Sequence, residues 1–137
     1  MPFLTRSDYD SVIQSEVFDS IIDYDDQIRV ITETRVIQEM AGYLSARYDT
    51  QSIFSETGDD RNPVVVMYLV DMVLYHLHGR IAYNQVPEDR RERYRYAKEW
   101  LDGIRAGEIN PPDLPVVPDG ITDYVRFGGN EKRNNQF

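Results

Sequence analysis

The stretch Asn62-Pro-Val-Val-Val-Met-Tyr-Leu-Val-Asp-Met-Val-Leu-Tyr-His-Leu-His-Gly79 decides the fold of this chain. Its asparagine suits the capping position of a helix, and its proline suits the first helical position, where a missing N–H costs nothing. Only Asp71 and His76 are strongly polar between residues 64 and 77, so this helix must be buried by the others. We expect it to end before the glycine, and these fourteen residues are too few to span a bilayer, which needs about 20.

Three further helices are expected before this one. Thr5 and Ser15 are good capping residues and predict short amphipathic helices over about residues 6–13 and 15–23. A longer helix is expected over about residues 25–47, which at 1.5 Å per residue extends about 34 Å. Its inward face is predicted from apolar residues at helical spacing, namely Val30, Ile37, Met40, Ala41, Leu44 and Tyr48.

A polar loop over residues 49–62 and a last helix complete the expected bundle. We expect Ile53 and Phe54 to anchor the loop in the core. The last helix is predicted from Pro87 to about Ala106, with Gly107 in the left-handed position that terminates it. Trp100 lies on the flank of its inward stripe, where it can finish the core or face a neighbour. The stripe itself consists of Tyr94, Ala97, Leu101 and Ile104.

The chain changes character beyond Gly107. Prolines at positions 111, 112, 115 and 118 prevent helix continuation and regular sheet pairing, so an extended segment is expected, serving assembly rather than the core. The sequence therefore predicts an all-α protein. Residues 1–110 form a small helical bundle of about five helices with a central apolar helix, and residues 111–137 form an extended, proline-rich C-terminal arm.

The composition excludes several classes of protein. A chain of 137 residues fits one core. It has no cysteine, so it has neither a disulfide framework nor a thiolate metal site, which is compatible with a reducing cytosol. Its first six residues lack the basic start and apolar core of a secretory signal peptide. A formal net charge of −9 argues against a phosphate-binding surface over the whole molecule.

No group of residues carries a catalytic or metal-binding signature. His76 and His78 point about 200° apart on a helix, unlike the i, i+4 pair that converges on zinc. The acidic clusters at residues 23–26 and 58–60 suit helix starts and turns rather than a calcium loop. Asp71 needs a partner within its apolar helix, and we expect Arg47, Arg80 or a tyrosine hydroxyl. We predict no catalytic, cofactor-binding or metal-binding residues.

Charge is unevenly distributed along the chain. Acidic residues dominate the first 26 positions, whereas the last helix carries a basic cluster: Arg90, Arg91, Arg93, Arg95 and Lys98. Acidic residues on the same helix allow i, i+3 and i, i+4 ion pairs, which favours a mixed-charge solvated face over a nucleic-acid contact. The alternative is that acidic and basic surfaces of neighbouring copies meet in an assembly.

An ordered set of landmarks runs from Phe3 to Pro115. The most specific parts are Tyr43-Leu-Ser-Ala-Arg-Tyr48 at the end of the long helix, and Arg93-Tyr94 followed by Trp100-Leu101 and Gly107. In order and spacing these landmarks resemble the Mu-like family of bacteriophage head-completion proteins, the small helical adaptors that join the capsid portal to the tail. The resemblance implies a structural head–tail connector of a tailed phage or prophage, with no enzymatic activity.

The resemblance also implies partners and a location. Such connectors form a ring, a dodecamer in the virion, between the portal protein and a tail or stopper protein, with DNA only as passing cargo and no membrane contact. The expected location is the head–tail interface of the virion, and the host cytoplasm during assembly. The alternative is a non-phage bacterial adaptor domain that binds one protein partner as a monomer or dimer.

The protein interface is expected to use the basic helix and the arm. Prolines hold the arm extended, which lowers the entropy lost on docking, and its apolar side chains can enter a neighbour's groove or pair at a sheet edge. The predicted interface residues are Arg90, Arg91, Arg95, Ile121, Tyr124, Val125 and Phe127.

The chain is expected to fold without a metal ion or cofactor, because no set of side chains matches a known ligand pattern. Untagged protein should contain no stoichiometric metal, and its melting temperature should be the same with and without a chelator. A melting temperature that drops on chelation would contradict this prediction, because removing a bound metal withdraws its binding free energy from the folded state.

Overall fold

The computed structural model describes residues 2–82 and 85–117. Within these ranges lie two short 3-10 helices, Arg6–Tyr9 and Gly58–Asp60. The α-helices of the same ranges are α1 (Ser15–Ile21), α2 (Asp26–Leu44), α3 (Thr50–Ser55), α4 (Pro63–Ala82) and α5 (Glu88–Ala106). The predicted all-α bundle of about five helices around a central apolar helix is confirmed.

Two elements differ from the expected set. The segment predicted as a helix over residues 6–13 forms one 3-10 helix, fixed at its start by the Thr5 N–H, which donates to Asp8 Oδ2 at 2.7 Å. α3 lies where a loop was expected. The Asp49 carboxylate caps it by accepting from the Ser52 N–H at 3.3 Å and from the Ser52 hydroxyl at 2.8 Å. Ile53 is buried and Phe54 packs on the core, as predicted.

α4 begins as the sequence predicts and ends later. Asn62 Oδ1 accepts from the backbone N–H groups of Val64 and Val65, at 2.9 and 3.1 Å. The prediction that Gly79 terminates the helix is wrong, because the helix continues to Ala82. Glycine keeps its backbone N–H and destabilises a helix interior by only about 1 kcal/mol relative to alanine. The packing of the preceding turns of α4 outweighs this cost.

The extra turns of α4 also overturn the length argument against a membrane span. Pro63–Ile81 is long and apolar enough to cross a bilayer by length and composition. The core helix of a folded bundle can be equally long and apolar. α4 is such a core helix, because much of its apolar surface faces α1, α2 and α5. Its buried apolar residues are Val65, Leu69, Val70, Met72, Val73, Leu74 and Leu77.

The inward face of α2 is rotated from the predicted one. Met40, Leu44 and Tyr48, just beyond the helix, are buried as expected, but Val30 is 40% exposed. Arg29 and Glu33 take the inward positions instead. The spacing of apolar residues predicts the wrong face here, because Arg29 and Glu33 form an ion pair and can therefore be buried together.

A hydrogen-bonded network accounts for the burial of these charges. The Tyr9 hydroxyl donates to Glu33 Oε2 at 2.6 Å, and Arg29 Nη1 donates to the same oxygen at 2.9 Å. Arg29 also forms two 2.8 Å hydrogen bonds to Asp26. Burial raises the pKa of Glu33 and of Tyr9. This network joins the N-terminal segment, which contains the 3-10 helix Arg6–Tyr9, to α2.

A second ion pair joins the N-terminal segment to the start of α4. Arg61 donates to both carboxylate oxygens of Asp8, at 2.7 and 2.9 Å, and to the Phe3 carbonyl at 2.8 Å. Burial acts to raise the pKa of Asp8, but hydrogen bonds from Arg61 and Thr5 outweigh it and hold the pKa below its ordinary value. Two-point contact of this kind fixes orientation as well as distance.

α5 agrees closely with its prediction. It begins at Glu88, directly after Pro87, and ends at Ala106, where Gly107 caps it with a left-handed φ of 84°. Ala97, Leu101 and Ile104 are fully buried. Trp100 is half-buried and its ring packs on that of Tyr68, with centroids 4.7 Å apart and planes tilted by 31°, so it extends the core.

The first residues of the arm pack against the bundle. The Asp49 N–H donates to the Pro115 carbonyl at 2.8 Å, and the Val117 N–H donates to the Arg47 carbonyl at 3.1 Å. Leu114 is buried and Ile109 packs on the core, so the expectation that the segment after Gly107 stays outside the core is wrong for these two residues. Residues 118–137 lie outside the described residues, and the division at residue 110 stays a prediction.

Truncating a buried leucine of α4 is expected to destabilise the protein strongly. Leu69→Ala or Leu74→Ala should cost about 2 to 5 kcal/mol of unfolding free energy by leaving a cavity. Met67→Ala is the matched control, since this side chain is 50% exposed on the same helix and its loss should change stability by less than about 0.5 kcal/mol. Unchanged denaturation midpoints for both leucine variants would contradict the core assignment.

The ion pair between Asp8 and Arg61 should contribute stability that depends on pH. Because the folded-state pKa of Asp8 is lowered, its contribution is present above the unfolded-state value of about 4 and is lost as pH falls through the folded-state value. Asp8→Asn should therefore lower the melting temperature at pH 7, and the difference from wild type should shrink below about pH 4.

The exposed Asp10 provides the control for this pH series, since it has no ion pair among the described residues. Asp10→Asn should follow wild type closely at every pH. A deficit for Asp8→Asn that stays constant from pH 7 to pH 3 would show that the side chain acts through packing rather than charge.

Candidate protein interface

The basic cluster of α5 is only partly available to a partner. Arg90 is 8% exposed and its Nη2 donates to the Val12 carbonyl at 3.1 Å. Arg91 Nε donates to the Val86 carbonyl at 3.1 Å. Arg95 pairs with Glu99 at 3.0 Å, and its side chain is 56% exposed. Of the three predicted interface arginines, Arg91 and Arg95 lie on the surface and Arg90 lies inside the bundle.

Arg90 and Arg93 place positive charge around Asp71. Arg93 Nη1 lies 3.9 Å from Asp71 Oδ1, so the expected partners of this carboxylate, Arg47 and Arg80, are wrong. Arg80 instead donates to Asp23 at 2.9 Å, and the Arg47 guanidinium lies beside Gly107. Burial raises the pKa of Asp71 and lowers that of Arg90, and each charge partly offsets the shift of the other.

Glu39 joins the three long helices. Its Oε2 accepts from Lys98 Nζ at 2.9 Å and from the Tyr94 hydroxyl at 3.3 Å, and its Oε1 lies 3.5 Å from His76 Nε2. Partial burial acts to lower the pKa of Lys98, but hydrogen bonds to Tyr43 and Glu39 outweigh it and raise that pKa. The sequence does not indicate this role of Glu39, because Tyr94 and Lys98 lie 55 and 59 residues away along the chain and no local pattern connects them.

Aromatic rings surround this cluster. Tyr75 and Tyr94 stack with centroids 4.0 Å apart and planes 9° apart, and the Tyr43 ring lies beneath both Lys98 and Arg105. Burial raises the pKa of Tyr94. Stacked rings with cations above them form a rigid surface, so α5 is held firmly against α2 and α4.

A cavity of about 300 Å³ opens beside Glu39. It lies between α2 and α4, and Arg35, His76 and Arg80 contribute to its lining. Glu39 adds a carboxylate to the lining and Arg80 is engaged with Asp23, so the cavity carries charges of both signs. Within residues 2–82 and 85–117, no group of three or more His, Cys, Asp or Glu residues is placed to hold a metal.

The arm residues of the predicted interface cannot be placed. Ile121, Tyr124, Val125 and Phe127 lie outside the described residues. The described arm ends at Val117, bonded to the backbone that follows α2. Their assignment to the interface stays a prediction.

Comparison with known proteins agrees with the landmarks in the sequence. The family model described as Bacteriophage Mu, Gp36 matches residues 4–115, which include all five described α-helices. No curated protein and no solved structure gives a significant match. Because the family match spans most of its length, this chain belongs to the bacteriophage Mu Gp36 family.

Proposed function

We propose that this protein is a structural head–tail connector of a tailed bacteriophage or prophage, forming a ring between the portal protein and the tail. The observation that carries the proposal is the family match over residues 4–115, together with the resemblance of its landmark residues to phage head-completion proteins. In the proposed role each subunit contacts its neighbours in the ring, the portal and a tail or stopper protein. DNA passes through the ring without being bound.

The shape of the subunit suits a connector. Two charged networks, around Glu33 and around Glu39, join the N-terminal segment and the three long helices. A subunit braced in this way keeps its surfaces in fixed relation, which a ring needs in order to close. The arm leaves the bundle from a point fixed by two backbone hydrogen bonds, so it starts from a defined place on every copy.

The proposed role involves no catalysis. The buried carboxylates of Glu33 and Asp71 are engaged with Arg29 and Arg93, and such pairs serve structure more often than chemistry. A net charge of −9 also suits a conduit for DNA, because a ring that bound phosphates would slow the passage of the genome.

Removing the arm beyond Val117 should abolish head–tail joining while leaving the bundle folded. The truncated protein keeps every described contact, including the backbone bridge between Tyr48 and Val116. It loses Ile121, Tyr124, Val125 and Phe127, the apolar residues proposed to reach a neighbour. Complementation of a phage lacking this gene should yield separate heads and tails in electron micrographs, and circular dichroism should show unchanged helical content.

A shorter truncation provides the control. A chain ending at Gly129 keeps the four apolar residues and removes the end of the chain, which is polar except for Phe137, so it should restore infectious particles. If the chain ending at Val117 also restores them, the assembly contacts lie on the helices, with Arg91 and Arg95 the next residues to test.

Genomic context separates the connector from the non-phage adaptor domain. The gene is expected to lie among genes for portal, major capsid and tail proteins. A gene with no phage structural genes near it would favour the adaptor domain.

A further inference from the structure

A cavity of about 220 Å³ lies between α3, the start of α4 and the first residues of the arm, and is called the arm cavity below. Its floor is apolar, because Ile53 and Leu114 line it and are themselves buried in the core. Pro63 and Pro115 also contribute to the lining. The arm cavity therefore offers apolar contact to a side chain that enters from solvent.

Several polar groups of this lining are already engaged within the subunit. Arg61 donates to Asp8 with both of its Nη groups. The Ser52 hydroxyl donates to Asp49 at 2.8 Å. Asn62 Oδ1 accepts from the first N–H groups of α4. A negatively charged ligand therefore finds no unpaired cation among the described residues of the lining.

Three carboxylates of the lining are not engaged. Glu56, Asp60 and Asp113 are exposed and line the arm cavity. Within residues 2–82 and 85–117, none of the three has an ion pair or a side-chain hydrogen bond. A cleft lined by charges of one sign attracts ions of the opposite sign, so the arm cavity favours a cation.

The cation that fits best is a long side chain rather than a metal ion. In the part of the chain that the structure describes, no three His, Cys, Asp or Glu residues are placed to hold a metal together, so the three carboxylates do not converge on one point. Lysine and arginine carry their charge at the end of an apolar stem, which lies along apolar surface while the head reaches polar groups. The apolar floor and the spread carboxylates match these two parts.

We propose that the arm cavity binds an arginine or lysine side chain presented by a basic segment of another protein. The stem packs on Ile53 and Leu114, and the charged head pairs with the carboxylates of Glu56, Asp60 and Asp113. In the proposed connector this protein belongs to the head–tail junction, a step that rests on the proposed function.

A second copy of this chain is a poorer occupant than a more basic protein. The net charge of −9 makes two copies repel each other. Several exposed arginines of the chain are also paired with its own carboxylates, among them Arg80 with Asp23 and Arg95 with Glu99. A partner with unpaired cations has no such pairs to give up on binding.

Two peptides test the site in the free subunit. Acetylated and amidated Leu-Arg-Leu at millimolar concentration should shift the methyl resonances of Ile53 and Leu114, whereas Val17 on α1, which is 43% exposed, should not shift. The uncharged peptide Leu-Gln-Leu should bind about tenfold more weakly, because it lacks the stronger hydrogen bonds made by a charged group. Added salt should weaken binding of the arginine peptide.

Neutralising two carboxylates should weaken binding without destabilising the fold. Asp60→Asn with Asp113→Asn should reduce the affinity for Leu-Arg-Leu about tenfold and leave that for Leu-Gln-Leu unchanged. The melting temperature should not fall, since neither side chain makes a described hydrogen bond. Asp10→Asn with Glu16→Gln is the matched control, because it changes the net charge equally at two exposed carboxylates outside the cavity. This control should bind both peptides as wild type does.

Four outcomes would overturn the proposal. Equal affinity for the two peptides would mean that the cavity takes apolar groups only. Equal losses in the two double variants would show an effect of net charge rather than of the cavity. Unshifted resonances of Ile53 and Leu114 would mean that no basic segment binds there, and resonances that shift when the protein alone is concentrated would assign the cavity to a second copy. The peptides are added to the free subunit and the connector is tested in particles, so either proposal can fail without the other.

Discussion

Burial of α4 is the constraint on which the rest of the structure depends. This helix is apolar nearly all round, so no single neighbour can cover it. α2 and α5 pack against it, together with α1 and the N-terminal 3-10 helix.

Closing the bundle on so many sides brings charged residues inside, and each buried charge needs a hydrogen bond or a partner of opposite charge. Glu33 is satisfied by Tyr9 and Arg29, and Asp71 lies near Arg93. The Asp8–Arg61 pair then holds the N-terminal segment to the start of the central helix.

Local signals in the sequence were enough to predict most of the helices. Asn62 and Pro63 predicted the start of α4, and Gly107 predicted the end of α5, because capping depends on residues next to the helix end. The inward face of α2 could not be predicted in this way. Glu33 is buried because Tyr9, 24 residues earlier, donates to it, and apolar spacing carries no information about such a partner. The same limit applies to Gly79 and to the partner of Asp71, both decided by tertiary packing.

The candidate interface stays a prediction, and the structure shows only where its arginines lie. Arg91 and Arg95 lie on the surface, whereas Arg90 turns inward to the Val12 carbonyl, 78 residues away along the chain. Charge clustering in a sequence shows where cations are, and packing decides which of them a partner can reach. Glu39 joins three helices, yet only the folded structure brings its partners together. By contrast, landmark residues in a fixed order were enough to indicate the family, because they reflect the whole bundle.

We propose that this braced bundle acts as a connector subunit and that its arm carries the attachment. Cryo-electron microscopy of the portal vertex, in particles of the phage that encodes this chain, tests that claim most directly. The account predicts a ring of copies between portal and tail, each fitting the described bundle, with density beyond Val117 reaching a neighbouring protein. A complete head–tail junction that contains no copy of this chain would contradict it.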